Sequence, residues 1–400
     1  MQTNLAEFVK KKPEHDELEG ILRACVHCGF CNATCPTYQL LGDELDGPRG
    51  RIYLLKQMLE GEPVTRITQQ HLDRCLSCRS CETTCPSGVR YGRLLDLGRV
   101  MLEGQVERTA GQKILRRLIK AVLPYRNRFG ALLHGVRLIR PVLPQTLKNK
   151  IPDRTKVPDW PEAVHARKML IMPGCVQQAL APSIDAATAK VLDKLGISLI
   201  QVKAAGCCGA LDYHLSDHEK ALAFARNNID ACWPYIEQGA EAIVMTASGC
   251  GVMVKDYGEL LRHDHDYAEK AMRFLALVKD VSVVLMSEDL SQFKGDGRKV
   301  AFQSPCTLQH GQKITGTVEA ILEKVGYRLT AVADAHLCCG SAGVYSLLEP
   351  ALSRQLLRNK LQALQANGPD LIVTANIGCL NHLQSAGSGK VLHWIELLLC

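Results

Sequence analysis

The chain has 400 residues, 18 of them cysteine, a hydrophobic fraction of 46% and a net charge of +7. This is the length and apolar content of a globular protein of two or three domains. No run of about 18 apolar residues is present to span a membrane, and Met1–Gly20 is polar and charged, unlike a signal peptide. Cysteines grouped in motifs, with no secretion signal, point to metal binding in a reducing cytosol and away from disulfides.

The first predicted elements are two cysteine loops. Cys25, Cys28, Cys31, Cys35 and Pro36 read C-x2-C-x2-C-x3-C-P, and Cys75, Cys78, Cys81, Cys85 and Pro86 repeat the pattern. That is the spacing of a ferredoxin with two [4Fe–4S] clusters. Three cysteines at i, i+3 and i+6 wrap three corners of a cubane, and the fourth thiolate comes from the last cysteine of the other loop. The expected quartets are Cys25, Cys28, Cys31 and Cys85 for one cluster, and Cys75, Cys78, Cys81 and Cys35 for the other. Zinc also binds C-x2-C pairs, but has no use for two interlocked quartets that each end in Cys-Pro. Arg49 and Arg51 follow the first loop. They are expected near a cluster, where positive charge raises its potential; the alternative is a helix start with solvated arginines.

Met101–Lys150 holds eleven Lys and Arg against Glu103 and Glu107. The pattern predicts amphipathic helix broken by prolines, with Ile114, Leu118, Leu132 and Leu138 interleaved with Arg116, Arg117, Lys120 and Arg137. Such a stretch suits an anionic membrane surface, an acidic partner, or a solvated helix face. Nucleic acid is not expected as a partner, because no aromatic interleaving or binding motif accompanies the charge.

From about Arg167 onward the chain is an internal duplication. Cys175 aligns with Cys306, and Cys207-Cys208-Gly209 with Cys338-Cys339-Gly340; Cys250 aligns with Cys379 after a two-residue deletion. The flanks agree, as in EAIVMTASGC (Glu241–Cys250) and DLIVTANIGC (Asp370–Cys379). Each copy alternates strand and helix. The first predicts a strand at Lys168–Met172, a helix over Ala179–Leu195, a strand at ISLIQV, a helix over Asp217–Gln238 and a strand at Ala242–Thr246. The second predicts VAFQ, a helix to Val325, RLTAV, a helix over Pro350–Ala366 and LIVTA. The alternation predicts open parallel sheets, with every cysteine at the carboxyl end of a strand, the edge where such sheets bind ligands. Cys175, Cys207, Cys208 and Cys250 should therefore converge, and so should Cys306, Cys338, Cys339 and Cys379. Four thiols together suit an iron–sulfur cluster, a zinc ion or a redox disulfide; the alternative is buried inert cysteines that hold nothing. His214, His310 and His336 have no histidine counterpart in the other copy and are read as surface or core residues. Cys232 and Cys400 are read as structural or incidental thiols.

No G-x-G-x-x-G opens a helix after a strand, and no P-loop, H-E-x-x-H or G-x-S-x-G occurs. With no flavin or nicotinamide site, a two-electron oxidation would need a carrier on another chain. No catalytic residue is expected here.

The two ferredoxin motifs followed by two CCG repeats resemble the iron–sulfur subunits of membrane-linked dehydrogenases, among them those of anaerobic glycerol-3-phosphate dehydrogenase, lactate-utilisation proteins and heterodisulfide reductase. Ile21–Gln57, His71–Asp96, AGCCGALDYHL, TASGCG, HLCCGSAG and VTANIGC look most like the iron–sulfur subunits of bacterial glycolate oxidase. The resemblance implies an α-helical two-cluster ferredoxin module over residues 1–100, a basic helical connector over 101–166, and two tandem α/β, Rossmann-like CCG domains over 167–290 and 291–400. It implies partner subunits that bind FAD and oxidise glycolate, and D-lactate as well. Electrons would pass through this chain toward a quinone or other membrane acceptor, at the cytoplasmic face of the inner membrane. A thiol–disulfide reductase of the heterodisulfide type, or the equivalent subunit of a glycerol-3-phosphate or L-lactate dehydrogenase, is the alternative. One departure stands out. The heterodisulfide pattern has a fifth cysteine three places after the last, where this chain has Met253 and His382. That argues against a five-thiolate cluster.

Overall fold

The computed structural model describes residues 1–142, 151, 157–387 and 389–399. Cys400 and the end of the basic segment lie outside the described residues.

Up to Glu103 the backbone is helical, with α-helices His15–Ala24, Pro36–Leu41, Pro48–Leu59, Arg66–Asp73, Ser80–Thr84 and Tyr91–Glu103. Pro36 and Pro48 sit in the first turn of their helices, where the missing N–H breaks no bond. Leu18, Leu22, Leu55, Met58, Leu72, Leu94 and Leu95 are fully buried between these helices. Helices Pro48–Leu59 and Tyr91–Glu103 pack closely at Gly98, where a Cβ would stand 2.3 Å from the Leu55 Cδ2 atom.

The rest is two parallel sheets. The first holds β1 (Arg167–Ile171), β2 (Ile197–Gln201), β3 (Ile243–Met245) and β4 (Val278–Asp280) in the order β2-β1-β3-β4. The second holds β5 (Lys299–Gln303), β6 (Arg328–Leu329), β7 (Leu371–Thr374) and β8 (Val391–His393) in the order β6-β5-β7-β8. All six strand pairings are parallel. Helices cover both faces, so the inner strands are nearly continuous apolar runs. In each sheet the strand order reverses between the first and third strands, and the crevice at that switch point is where ligands bind.

Three details differ from the sequence reading. Ala179–Leu195 is not one helix; the chain breaks at Pro182 into Gln177–Leu180 and Ser183–Lys194, because a proline interior to a helix removes a backbone bond. RLTAV pairs only over Arg328–Leu329. The edge strands β4 and β8 have three residues each, too short for an alternation signal.

The repeats close on one another. A single apolar core contains Met169 and Val191 of the first with Phe302 and Ile321 of the second. Helix Val281–Met286, which follows β4, packs on helix Thr317–Lys324 of the second repeat. The 3-10 helix Trp394–Leu399, which follows β8, packs on helix Ser183–Lys194 of the first. There Ser183 donates to Glu396 at 2.9 Å.

The basic segment forms helices Ala110–Val122 and Arg126–Ile139, interrupted at Pro124. Part of its charge braces the molecule. Arg108 and Arg116 pair with Asp73 at 2.6 and 3.3 Å, and Lys120 with Asp217 of the first repeat at 2.7 Å. Ile114, Leu118, Leu132 and Leu138 remain exposed.

Candidate iron–sulfur centres and cysteine-rich sites

The two ferredoxin loops fold alike. His27 and Ser77, at equivalent positions, have φ of 63° and 51°, and Gly29 and Arg79 have 85° and 59°. These left-handed residues curl each loop so that its sulfurs point inward. A Cβ on Gly29 would lie 2.7 Å from the Arg49 guanidinium, a flexible side-chain end that could move aside, so it is the positive φ that favours glycine here.

Two cavities result, and the last cysteines have changed places. Cys25, Cys28, Cys31 and Cys85 line an outer cavity, with Val26, Phe30, Ile52 and Val89 as apolar walls and Cys81 behind. Cys35, Cys75, Cys78 and Cys81 line an inner cavity with Leu76, Arg51 and Tyr91, and both cavities are partly open. The donor set is sulfur on apolar walls, with backbone N–H groups aimed at it, as where Ser77 N–H donates to Cys75 Sγ at 3.4 Å. This suits an iron–sulfur cubane.

Both arginines border these cavities, and both belong to the helix Pro48–Leu59. Arg49 borders the outer one and pairs with Glu44 at 2.6 Å. Arg51 is 1% exposed and borders the inner one. It donates to the His71 carbonyl at 2.7 Å and to Thr37 Oγ1 at 3.1 Å, and pairs with the fully buried Asp46 at 3.5 Å.

In the α/β repeats the predicted cysteines meet at the strand ends. In the second repeat, Cys306 Sγ lies 3.8 Å from Cys338 Sγ, and Cys339 Sγ lies 3.3 Å from Cys379 Sγ. In the first, Cys175 contacts Cys207 and Cys208 contacts Cys250. Gly209 and Gly340 have φ of 85° and 89°. Their N–H groups donate to Cys207 Sγ and Cys338 Sγ, each at 3.4 Å. A Cβ on either would strike the next helix, 2.9 Å from the Ala221 carbonyl or 2.7 Å from that of Ser353. Glycine is therefore needed at both.

Burial, with the nearby charge of Cys25, pushes the Cys31 thiol up to about 11. Burial likewise raises Cys78 and Cys81. Hydrogen bonds to Cys207 and Cys338, with burial, raise Cys175 and Cys306. Thiols held this way stay protonated at neutral pH, and a bound metal cation would supply the charge that lets them ionise. Cys232 is fully buried in the same apolar cluster as Cys207 and Cys208, and burial raises its thiol.

The comparisons agree with this arrangement. Residues 21–89 match the 4Fe-4S dicluster domain, and residues 169–255 and 300–384 each match the cysteine-rich domain CCG. The chain is 55% identical to the glycolate oxidase iron-sulfur subunit of Escherichia coli (strain K12), over 100% of this chain and 98% of that protein. The chain belongs to the family of glycolate oxidase iron–sulfur subunits. The probable glycolate oxidase iron-sulfur subunit of Bacillus subtilis (strain 168) is 30% identical over 95% of this chain and 94% of its own. Lactate utilization protein A of Shouchella clausii is 25% identical over 52% of this chain and 87% of its own. A hypothetical protein from Helicobacter pylori of known crystal structure superposes with a TM-score of 0.54 at 12% identity, covering 97% of this chain and 72% of that one. At that identity the likeness is one of fold alone.

Within this family arrangement, Met253 and His382 supply no fifth thiolate. Met253 is buried, and His382 Nε2 is engaged with Ser353 Oγ at 3.1 Å.

Sequence reasoning missed the roles of the unmatched histidines. His214 pairs with the buried Asp96 at 3.0 Å, and His310 Nδ1 faces Thr83 Oγ1 at 2.8 Å. They lie on the seam between the repeats and the ferredoxin module. The signal available was their mismatch, since two copies of one domain that meet different surfaces diverge where they touch them. Lys360 and Asn376, beside the second cysteine site, had no motif to mark them.

Proposed function

We propose that this chain conducts electrons, one at a time, from a flavin on a partner subunit toward a quinone, in a complex that oxidises glycolate to glyoxylate and D-lactate to pyruvate. Cys25, Cys28, Cys31 and Cys85 hold one [4Fe–4S] cluster, and Cys75, Cys78, Cys81 and Cys35 the other. Each cluster, when bound, supplies one reversible electron. The observation that carries this reading is the exchange of Cys35 and Cys85 between two neighbouring cavities. Glycolate loses two electrons and two protons; the partner's flavin takes the electron pair, and the quinone finally takes two electrons and two protons.

The chain's own residues set the direction. Val26 and Phe30 are exposed beside Cys28 and form an apolar surface on which the FAD-binding subunit docks. Arg51 places a buried positive charge at the inner site, which favours its reduced form. Cys175, Cys207, Cys208 and Cys250, and Cys306, Cys338, Cys339 and Cys379, each hold a further iron–sulfur centre or zinc. No helix among the described residues is long and apolar enough to cross a membrane. Contact with the cytoplasmic face of the inner membrane would use exposed Ile114 and Leu118 with Arg117.

Purification of the intact complex tests this reading. A flavoprotein should co-purify, the iron content should account for at least two cubanes, and glycolate should bleach the cluster absorbance only when that partner is present. Oxidation of glycolate by the isolated chain would overturn the division of labour.

A further inference from the structure

The two four-cysteine sites have the same ligands and different neighbours. Leu76 and Cys78 of the inner ferredoxin loop share an apolar cluster with Cys306, Cys338, Tyr345 and Leu356 of the second repeat. The contact is pinned on both sides. Tyr345 donates its hydroxyl to the Arg74 carbonyl at 3.1 Å, and Thr83 meets His310 at 2.8 Å. His310 belongs to a π-helical turn, Thr307–Gly311, directly after Cys306; such turns recur at functional sites.

The first repeat lacks these features. At the position of Tyr345 it has His214, which reaches Asp96 on the helix Tyr91–Glu103 and not a cysteine loop. The apolar cluster around Cys207 and Cys208 contains no residue of either ferredoxin loop. Arg79 of the inner loop does reach this repeat, but as an ion pair with Asp256 at 2.5 Å.

Charge separates the sites as well. Lys360 is 4% exposed and donates to the Asp334 carbonyl at 2.8 Å. Burial lowers its ammonium from the usual range, and the nearby charges of Cys339, Cys338 and Cys379 act in the other direction, to hold it as a cation. Ile229 takes its place in the first repeat. A buried cation beside one set of thiolates favours the more negative, reduced state there.

The sites also touch each other. The side chain of Asn376 donates to Cys379 Sγ at 3.6 Å and accepts from the Gly249 N–H, next to Cys250, at 3.1 Å.

We propose that the two cysteine-rich sites work in series: the site of Cys306, Cys338, Cys339 and Cys379 takes electrons directly from the inner ferredoxin site, and the site of Cys175, Cys207, Cys208 and Cys250 is reached only from it, across Asn376. At each step one electron leaves the donor site and reduces the next, with no bond made or broken. Lys360 acts as a positioning residue for the second site. The inference rests on both sites holding redox-active iron.

The test uses the full-length chain reduced with dithionite, which needs neither partner nor glycolate, so its failure leaves the proposed activity standing. In the electron paramagnetic resonance spectrum the inner-cluster signal should carry a splitting from the spin of the second site, in addition to the one the neighbouring outer cluster imposes. That added splitting should be lost in Cys338→Ser and kept in Cys207→Ser. Lys360→Met should lower the midpoint potential of the second site alone, a readout available if the cysteine variants fail to fold. In the intact complex with glycolate, Cys338→Ser should leave the first site oxidised while the ferredoxin sites are reduced. Zinc in the second site, a splitting that follows Cys207 instead of Cys338, or a first site still reduced in Cys338→Ser would each overturn the proposal.

Discussion

The two ferredoxin loops have the same spacing and nearly the same backbone, yet one presents apolar residues to solvent and the other packs against the second repeat. Val26 and Leu76 hold equivalent positions, and they are 68% and 7% exposed. Phe30 is 63% exposed where its equivalent, Ser80, is 1% exposed. The outer loop has a half-exposed ion pair of Arg49 with Glu44; the inner cavity has Arg51, Asp46 and His71 with almost no exposed surface. Identical ligand geometry thus makes two different sites, and the difference comes from what packs over each loop.

The largest effect expected from breaking this contrast is at Asp46. Asp46→Ala leaves the Arg51 guanidinium buried with its counter-charge removed, a change that costs about 3–5 kcal/mol. Urea unfolding should show the loss, and iron analysis should show the inner site emptied before the outer. Next come the paired positions themselves. Leu76→Ala should cost about 2–4 kcal/mol by leaving a cavity against Tyr345 and Leu356, whereas Val26→Ala should stay within about 0.5 kcal/mol. Equal losses would mean that the outer loop is also covered.

A smaller effect concerns pH. Burial acts to raise the Asp73 carboxyl, but hydrogen bonding and charge from Arg108, with Arg116, overcome it and hold the group below the usual carboxylate range. A lowered folded-state pKa stabilises the fold above the ordinary carboxylate value, and the contribution is lost as pH falls through the folded value. Asp73→Asn should therefore cost about 2 kcal/mol at neutral pH, and the difference from wild type should vanish in acid. Glu44, lowered first by the Arg49 hydrogen bond but largely solvated, should show little such dependence. The smallest stability effect belongs to Phe30→Ala. It should leave unfolding unchanged within about 0.5 kcal/mol while weakening capture of the flavoprotein subunit by about 1–2 kcal/mol, measured by binding titration.

Much of the site was legible before any coordinates. The cysteine spacings, the register of the duplication and the parallel α/β alternation all follow from local periodicity and from repeated ligand positions. The reading was weaker where a residue's role depends on a distant neighbour. His214 and His310 looked like ordinary surface or core residues because the groups they meet, Asp96 and Thr83, lie 118 and 227 residues away in the chain. The break at Pro182 was hidden by apolar spacing that continues across it. The edge strands β4 and β8 were hidden by their shortness.

By itself the sequence determined which thiols belong together and at which strand ends they lie, because ligand spacing and hydrophobic period are properties of neighbouring residues. Only the tertiary structure decided which ferredoxin loop faces solvent, which repeat meets the inner loop, and where Arg51 and Lys360 bring buried charge to sulfur. Those outcomes depend on burial, and burial is set by segments hundreds of residues apart packing against one another.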